Sequence, residues 1–185
     1  VTSHLDPRVA RTRDDVSVVA LRLLIEDGWD AVTHARVAAL AGYSRATIYS
    51  HWPERDDLVR HAFAVFGEMP HYEATGSVTA DLLGELQTFC RAMVERRLDR
   101  ALAMLAERAQ TTESITPVRD DFVATGERPM RESLQWIDDP ARREAALLML
   151  CGLVTHSVLM HGSAPTDLVL DAAVDIVLRG APIDA

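Results

Sequence analysis

Apolar residues in this chain recur at three- and four-residue steps almost throughout, and no stretch keeps the two-residue alternation of a strand. Residues 14–27 place Val16, Val19, Ala20, Leu23 and Leu24 on one stripe, with Asp14 and Asp15 near the positive end of the helix dipole and Gly28 as a stop. Ahead of them, residues 1–13 carry Pro7, Arg8, Arg11 and Arg13 without an apolar period and read as a mobile arm. Two short helical patterns, 33–41 and 45–51, flank a Gly42-Tyr43-Ser44 turn, which is the grammar of a helix-turn-helix. Further helices are predicted at 56–67, at 79–98, around Leu102, Leu105 and Ala109, at 140–161 and at 166–179. Residues 118–137 hold a helical period, but Pro129 removes a backbone donor and predicts a kink or break there. The pattern defines an all-α fold of about nine helices, with a three-helix N-terminal domain over 1–55 and a helical body over 56–185.

The last two helices differ from the others. Residues 145–160 (AALLMLCGLVTHSVLM) are apolar on nearly every side, and 168–178 is apolar on two faces. A helix apolar all round must be buried by something. A membrane span needs about 20 apolar residues, and this run is shorter and interrupted by Thr155, His156 and Ser157. The reading is therefore a homodimer through helices 140–161 and 166–179, paired about a two-fold axis as a four-helix bundle, with no membrane partner. Asp167, Asp171, Asp175 and Arg179, spaced by four, form the solvated stripe of the last helix rather than a metal site.

Composition adds constraints. With 185 residues, 48% of them hydrophobic, the chain can build a real core. Its net charge of −9 argues against a polyanionic partner until its distribution is considered. Residues 1–60 carry eight arginines against nine acids, and the rest carry eleven against nineteen, so the acid belongs to the body. Every basic residue is arginine, which suits phosphate and guanine better than lysine does. Cys90 and Cys151 form no CxxC and read as two buried thiols. No secretory leader is visible, and a cytoplasmic protein is expected. Catalytic triads, nucleophile elbows and phosphate loops are absent from the sequence, and His156 and His161 miss the i, i+4 spacing of helix-borne metal ligands. No catalytic residue, metal or cofactor is expected.

The second short helix offers Arg45, Thr47, Tyr49 and His51 among small residues, a surface suited to DNA. Thr33 is a good N-cap, but position 36 holds arginine where a capping box wants Glu or Gln. That arginine opposes the dipole unless an anion lies nearby, and DNA phosphate is one; the alternative is that it reaches into solvent. Thr33, Ala38, Ala41-Gly42, Ser44, Thr47, Ile48-Tyr49, Trp52 and Leu58 together resemble the motif of the TetR family of bacterial transcriptional repressors, T-x-x-x-I-A-x-x-A-G-x-S-x-x-x-L-Y-x-x-F-x-x-K-x-x-L. Arg55 stands where that motif has Lys, and Trp52 where it has Phe, which keeps charge and aromatic bulk.

The resemblance implies a sequence-specific regulator of the repressor type, bound to double-stranded operator DNA as a homodimer. It implies base-edge contacts from Arg45, Ala46 and Thr47, and phosphate contacts from Thr33, Arg36, Tyr49, His51 and Arg55. Val37, Leu40 and Ile48 are expected in the core. The resemblance also implies a ligand-binding body with a mostly apolar pocket for a small apolar or aromatic effector. Phe89, Met93, Met104, Phe122, Met130, Trp136, Met149 and His156 are the candidate lining, each of which is equally at home in plain core, with His156 as the polar anchor. The competing reading is a helix-turn-helix dimer whose body binds a protein partner or senses no small molecule; a body cavity of several hundred cubic ångströms separates the two.

Overall fold

The computed structural model describes residues 7–67 and 70–180, and among these it has nine α-helices and no strand. Of the described residues, 7–67 and 100–122 form one compact unit, and 70–99 and 123–180 form the other. Within the first unit the helix after the helix-turn-helix packs back on the first one.

In the first unit, α1 spans Pro7–Asp27 and buries Val16, Ala20, Leu23 and Leu24. It starts seven residues before the expected Asp14, so Arg11 and Arg13 are helical rather than part of an arm; residues 1–6 lie outside the described residues. Proline at the first helical position is pre-set for φ and has no donor to lose, and arginine is a good helix former without any apolar period. Gly28, at φ 88°, turns the chain into a 3-10 turn at Trp29–Ala31. Then come α2 (His34–Ala41), α3 (Arg45–His51) and α4 (Arg55–Gly67). Val37, Ile48, Trp52, Leu58, Val59, Ala62 and Phe63 of these elements are almost fully buried. Leu40, expected in this core, is 48% exposed: the buried face of α2 is His34, Val37 and Ala38, and Leu40 lies off it.

The expected helix 79–98 is α5 (Val78–Glu95), and it stops short because Arg97 turns left-handed at φ 56°. Leu98 already opens α6 (Leu98–Thr111). A 3-10 turn at Glu113–Ile115 leads into α7 (Thr116–Ser133). Within the first unit α6 buries Ala101 and Leu105, and Phe122 of α7 meets Phe63 edge-on at 5.5 Å and Phe66 in a stack at 5.8 Å. Ser114 donates to Asp56 at 2.7 Å. Of the kink or break expected at Pro129, the break does not occur: α7 runs through it. The proline sits close to the end of the helix, so little of the hydrogen-bond ladder lies beyond it.

The second unit packs α5 against α8 (Pro140–His161) and α9 (Asp167–Gly180). Leu82, Leu86 and Met93 of α5 are buried, as are Met130, Leu134, Leu147, Leu150, Val154, Leu170 and Val174. Asp139 caps α8 by accepting from the Ala141 amide at 2.8 Å, Pro140 follows at the first position, and Gly162 closes the helix at φ 74°. By length and composition α8 would suffice to cross a membrane, but one face of it is buried on α5 and α9. Cys90 is buried and Cys151 half-buried, and burial, with Glu127 adding to it, pushes the Cys151 thiol up to about 12.

His61 on α4 has a buried Nε2 without a hydrogen-bond partner and lies 5.3 Å from the Trp52 ring. Burial, and then the Arg13 charge, hold its pKa below the ordinary value. The neutral form is therefore the folded form, and the folded state binds fewer protons than the unfolded one. Stability is kept above about pH 6.5 and is lost as pH falls below it. A melting-temperature series from pH 7.5 to 5.5 should show this decline, and His61→Phe should flatten it.

Candidate nucleic-acid interface

The reading head is built from two short helices that do little to hold themselves. Thr33 caps α2 by accepting from the Arg36 amide at 3.2 Å. Gly42 ends α2 at φ 76°, a left-handed conformation that glycine adopts without strain. Ser44 caps α3 by accepting from the Thr47 amide at 3.1 Å, and its hydroxyl pairs with that of Thr47 at 2.9 Å. Tyr43 in the turn donates to Asp15 of α1 at 2.7 Å. Ile48 points into the core while Arg45, Ala46, Tyr49 and Ser50 are exposed, at the i, i+1, i+4, i+5 spacing of a single helix face.

The expected DNA contacts divide on this geometry. Arg45 and Ala46 are exposed, and Arg45 has no hydrogen-bond or ion-pair partner among the described residues; Thr47 is half-buried beside them. Tyr49 is 52% exposed and stacks on His34 at 4.1 Å and 7°. His51 is half-buried at the end of α3, 5.5 Å from the Trp52 ring. Thr33 is exposed but occupied as a cap. Arg36, rather than facing solvent alone, pairs with Asp27 at 2.7 Å, which supplies the anion its position in the first turn demands.

Arg55 is turned inward, against the expectation of a phosphate contact. Its Nε donates to the Val32 carbonyl at 2.9 Å and its Nη2 to the Trp29 carbonyl, with Asp30 at 3.5 Å. The guanidinium also lies 5.9 Å from the Trp29 ring. Arg108 of α6 reaches the same ring at 5.5 Å and the same Asp30 at 3.6 Å, and its Nε is buried without a partner. Two arginines thus grip the turn that delivers the chain to Thr33 and α2.

Sequence reasoning missed His34, Arg108 and Asp15. His34 is 8% exposed, bonds the Trp52 carbonyl through Nε2 at 2.7 Å and carries the Tyr49 ring, so it ties the start of α2 to the end of α3. Only the fold brings it to Tyr49 and Trp52, so no local signal marked it.

Neither unit by itself brings the whole candidate effector lining together. Phe122, at 8% exposure, and the half-buried Met104 belong to the first unit. Met93 and Met130 are plain core at 0% and 3%, and Phe89 is half-buried. Trp136, Met149 and His156 are exposed, His156 lying 5.1 Å from the His161 ring, so His156 is no buried anchor. The cause is that α8 leaves one side uncovered within the chain.

An exposed recognition helix behind a capped glycine turn, on an all-helical chain, defines a helix-turn-helix DNA-binding protein. Residues 18–62 match the family described as bacterial regulatory proteins, tetR family. The chain is 28% identical over 171 residues to an HTH-type transcriptional regulator of Mycobacterium bovis, covering 89% of this chain and 84% of that one. It is 36% identical over 70 residues, 37% of each chain, to the DNA-binding transcriptional repressor TetR of Mycobacteroides abscessus. The solved structure of a flavonoid-responsive regulator superposes with a TM-score of 0.70 at 17% identity, covering 92% of this chain and 95% of that one. Residues 18–62 thus carry a DNA-binding domain of the tetR-family type, on a chain similar over most of its length to an HTH-type transcriptional regulator.

Arg45→Ala should weaken binding to a fragment of the native promoter by about 1–3 kcal/mol, roughly 5- to 150-fold, in a fluorescence-anisotropy titration. The double variant Thr47→Ala, Tyr49→Ala should also lose affinity, and unchanged binding by either would remove α3 from the interface. Arg55 and Arg108 share Trp29 and Asp30, so alanine substitutions there should be non-additive in urea unfolding, with a coupling of about 0.5–3 kcal/mol.

Proposed function

We propose that the chain works as a homodimeric, effector-responsive repressor that sits on a two-fold operator in the cytoplasm and leaves it when a small molecule occupies the body. The observation that carries the dimer is the uncovered face of α8 and α9. Leu148, Met149, Leu159 and Met160 fall on α8 at the spacing of one face, with Gly152 between them, and they are 42–68% exposed. Val169 and Ile176 do the same on α9, at 45% and 60%. A soluble monomer does not sustain an apolar patch of this kind. Pairing it with its copy about a two-fold axis buries both as a four-helix bundle and presents two recognition helices to half-sites about 34–36 Å apart. Met149, first placed in the effector lining, belongs to this face. Asp171, Asp175 and Arg179 stay on the outside of α9, with Arg179 paired to Asp175 at 2.7 Å.

The effector reading is supported by two clefts in the second unit, of about 440 and 330 Å³, within the size range of ligand sites. Both are open clefts at the surface of the unit rather than enclosed cavities. An effector acts by preferring one spacing of the recognition helices and shifting the population toward or away from the DNA-bound state. Repression is the sign supported by the TetR repressor that matches over 70 residues.

Sedimentation at micromolar concentration should give a dimer. Met149→Glu combined with Ile176→Glu should give a folded monomer, and its affinity for the native promoter should fall by roughly 100-fold or more through loss of the second half-site. A wild-type monomer under these conditions would end the dimer reading.

A further inference from the structure

The segment ahead of α5, residues 70–77, has no regular structure, yet two carboxylates hold it firmly. Glu85 accepts from the Tyr72 amide at 2.8 Å and bonds His71 Nδ1 at 2.6 Å. Asp81 accepts from the Thr75 amide and hydroxyl, both at 2.7 Å, and from the Gly76 amide at 3.0 Å. The Tyr72 ring lies across Gly84, where an added Cβ would stand 2.4 Å from ring carbons. The loop is therefore a fixed wall.

Between this wall, α5 and the end of α7 lies the cleft of about 330 Å³. Tyr72, Asp81, Glu85, Pro129, Glu132 and Trp136 line it, and no arginine does. Asp81 and Glu85 are only 8% and 6% exposed. The partners of Asp81 are neutral amides and a hydroxyl, and the Thr75 donors hold its carboxyl below the usual carboxylate range. Those bonds satisfy lone pairs but leave the negative charge in place. Arg131, next to Glu132 in sequence, is held by Glu144 at 2.6 Å and Glu127 at 3.0 Å.

The cleft thus joins the charge of Asp81, whose partners are all neutral, and that of Glu132 to two large aromatic rings, while Glu85 is shared with His71. Tyr72 is 37% exposed and Trp136 39%. Aromatic faces attract cations as well as flat apolar bodies. Anions are repelled, and a neutral hydrocarbon would use the rings but not the carboxylates.

We propose that this cleft binds an organic cation with a flat aromatic body, and that such a cation is the effector class of this protein. The second half of the proposal rests on the reading of the chain as effector-responsive. It also moves the site from the predicted lining to the loop–α5–α7 cleft, which keeps only Trp136 of the expected residues.

Three probes of nearly one shape test it: N-methylquinolinium, neutral 1-methylnaphthalene and the anion 1-naphthoate. Trp29 and Trp52 are 7% and 2% exposed, so quenching of tryptophan emission by N-methylquinolinium reports on Trp136. Calorimetry at low salt should show the cation binding at least tenfold more tightly than the neutral probe, and the anion not at all. Trp136→Ala should weaken the cation at least tenfold and Glu132→Gln several-fold. Gly84→Ala, which displaces Tyr72 without altering charge, should also weaken it. Equal binding of cation and neutral probe, no binding of the cation, or full affinity in Trp136→Ala overturns the cleft assignment. Operator release is measured separately: cation binding that leaves promoter affinity unchanged refutes the effector half while the site stands. Release by other compounds without cation binding refutes this proposal and leaves the effector-responsive reading intact.

Discussion

The recognition helix has seven residues, and a helix that short is not stable by itself in water. Everything the head does depends on anchoring it from beneath. Ile48 and Trp52, at 0% and 2% exposure, provide the apolar part of that anchor. The His34–Trp52 hydrogen bond and the Tyr49 stack on His34 supply direction, which apolar burial cannot. Upstream, the grip of Arg55 and Arg108 on Trp29 and Asp30 sets where α2 begins. The exposed row of Arg45, Ala46 and Tyr49 is what remains once these demands are met.

Charge tells a parallel story. A chain with a net charge of −9 can meet DNA only if its acids are kept away from the reading surface or are already paired. Asp27 is paired with Arg36, Asp30 with Arg55 and Arg108, and Asp15 accepts from Tyr43. These pairs leave Arg45 as the unpartnered cation on the exposed face of α3. In the second unit the carboxylates Asp81 and Glu85 serve a loop. One residue type thus builds structure in both units and, in the second, lines a cleft.

The helix-turn-helix was legible residue by residue because its signals are local. Thr33 and Ser44 cap, Gly42 turns, and Val37 and Ile48 are buried, all within the reach of one or two helical turns. The caps of α8 and the outward stripe of α9 were legible for the same reason. The effector lining was not. Phe, Met and Trp at helical spacing mark apolar surface, but they do not say whether core, partner or ligand covers it: Met93 is buried, while Met149 and Trp136 are exposed.

The sequence alone determined the helical fold, the place of the reading head, the polar face of α3 and the excess of apolar surface at the C-terminal end, since each is written in spacing and caps over a few residues. Tertiary structure decided the fate of side chains with several possible partners. An arginine can bond a phosphate, a carboxylate or a backbone carbonyl with equal chemical fitness, and only proximity across the fold turned Arg36 to Asp27 and Arg55 to Val32 while leaving Arg45 exposed. The same holds for the joining of residues 100–122 to the head, because contacts between distant segments leave no periodic trace in the chain.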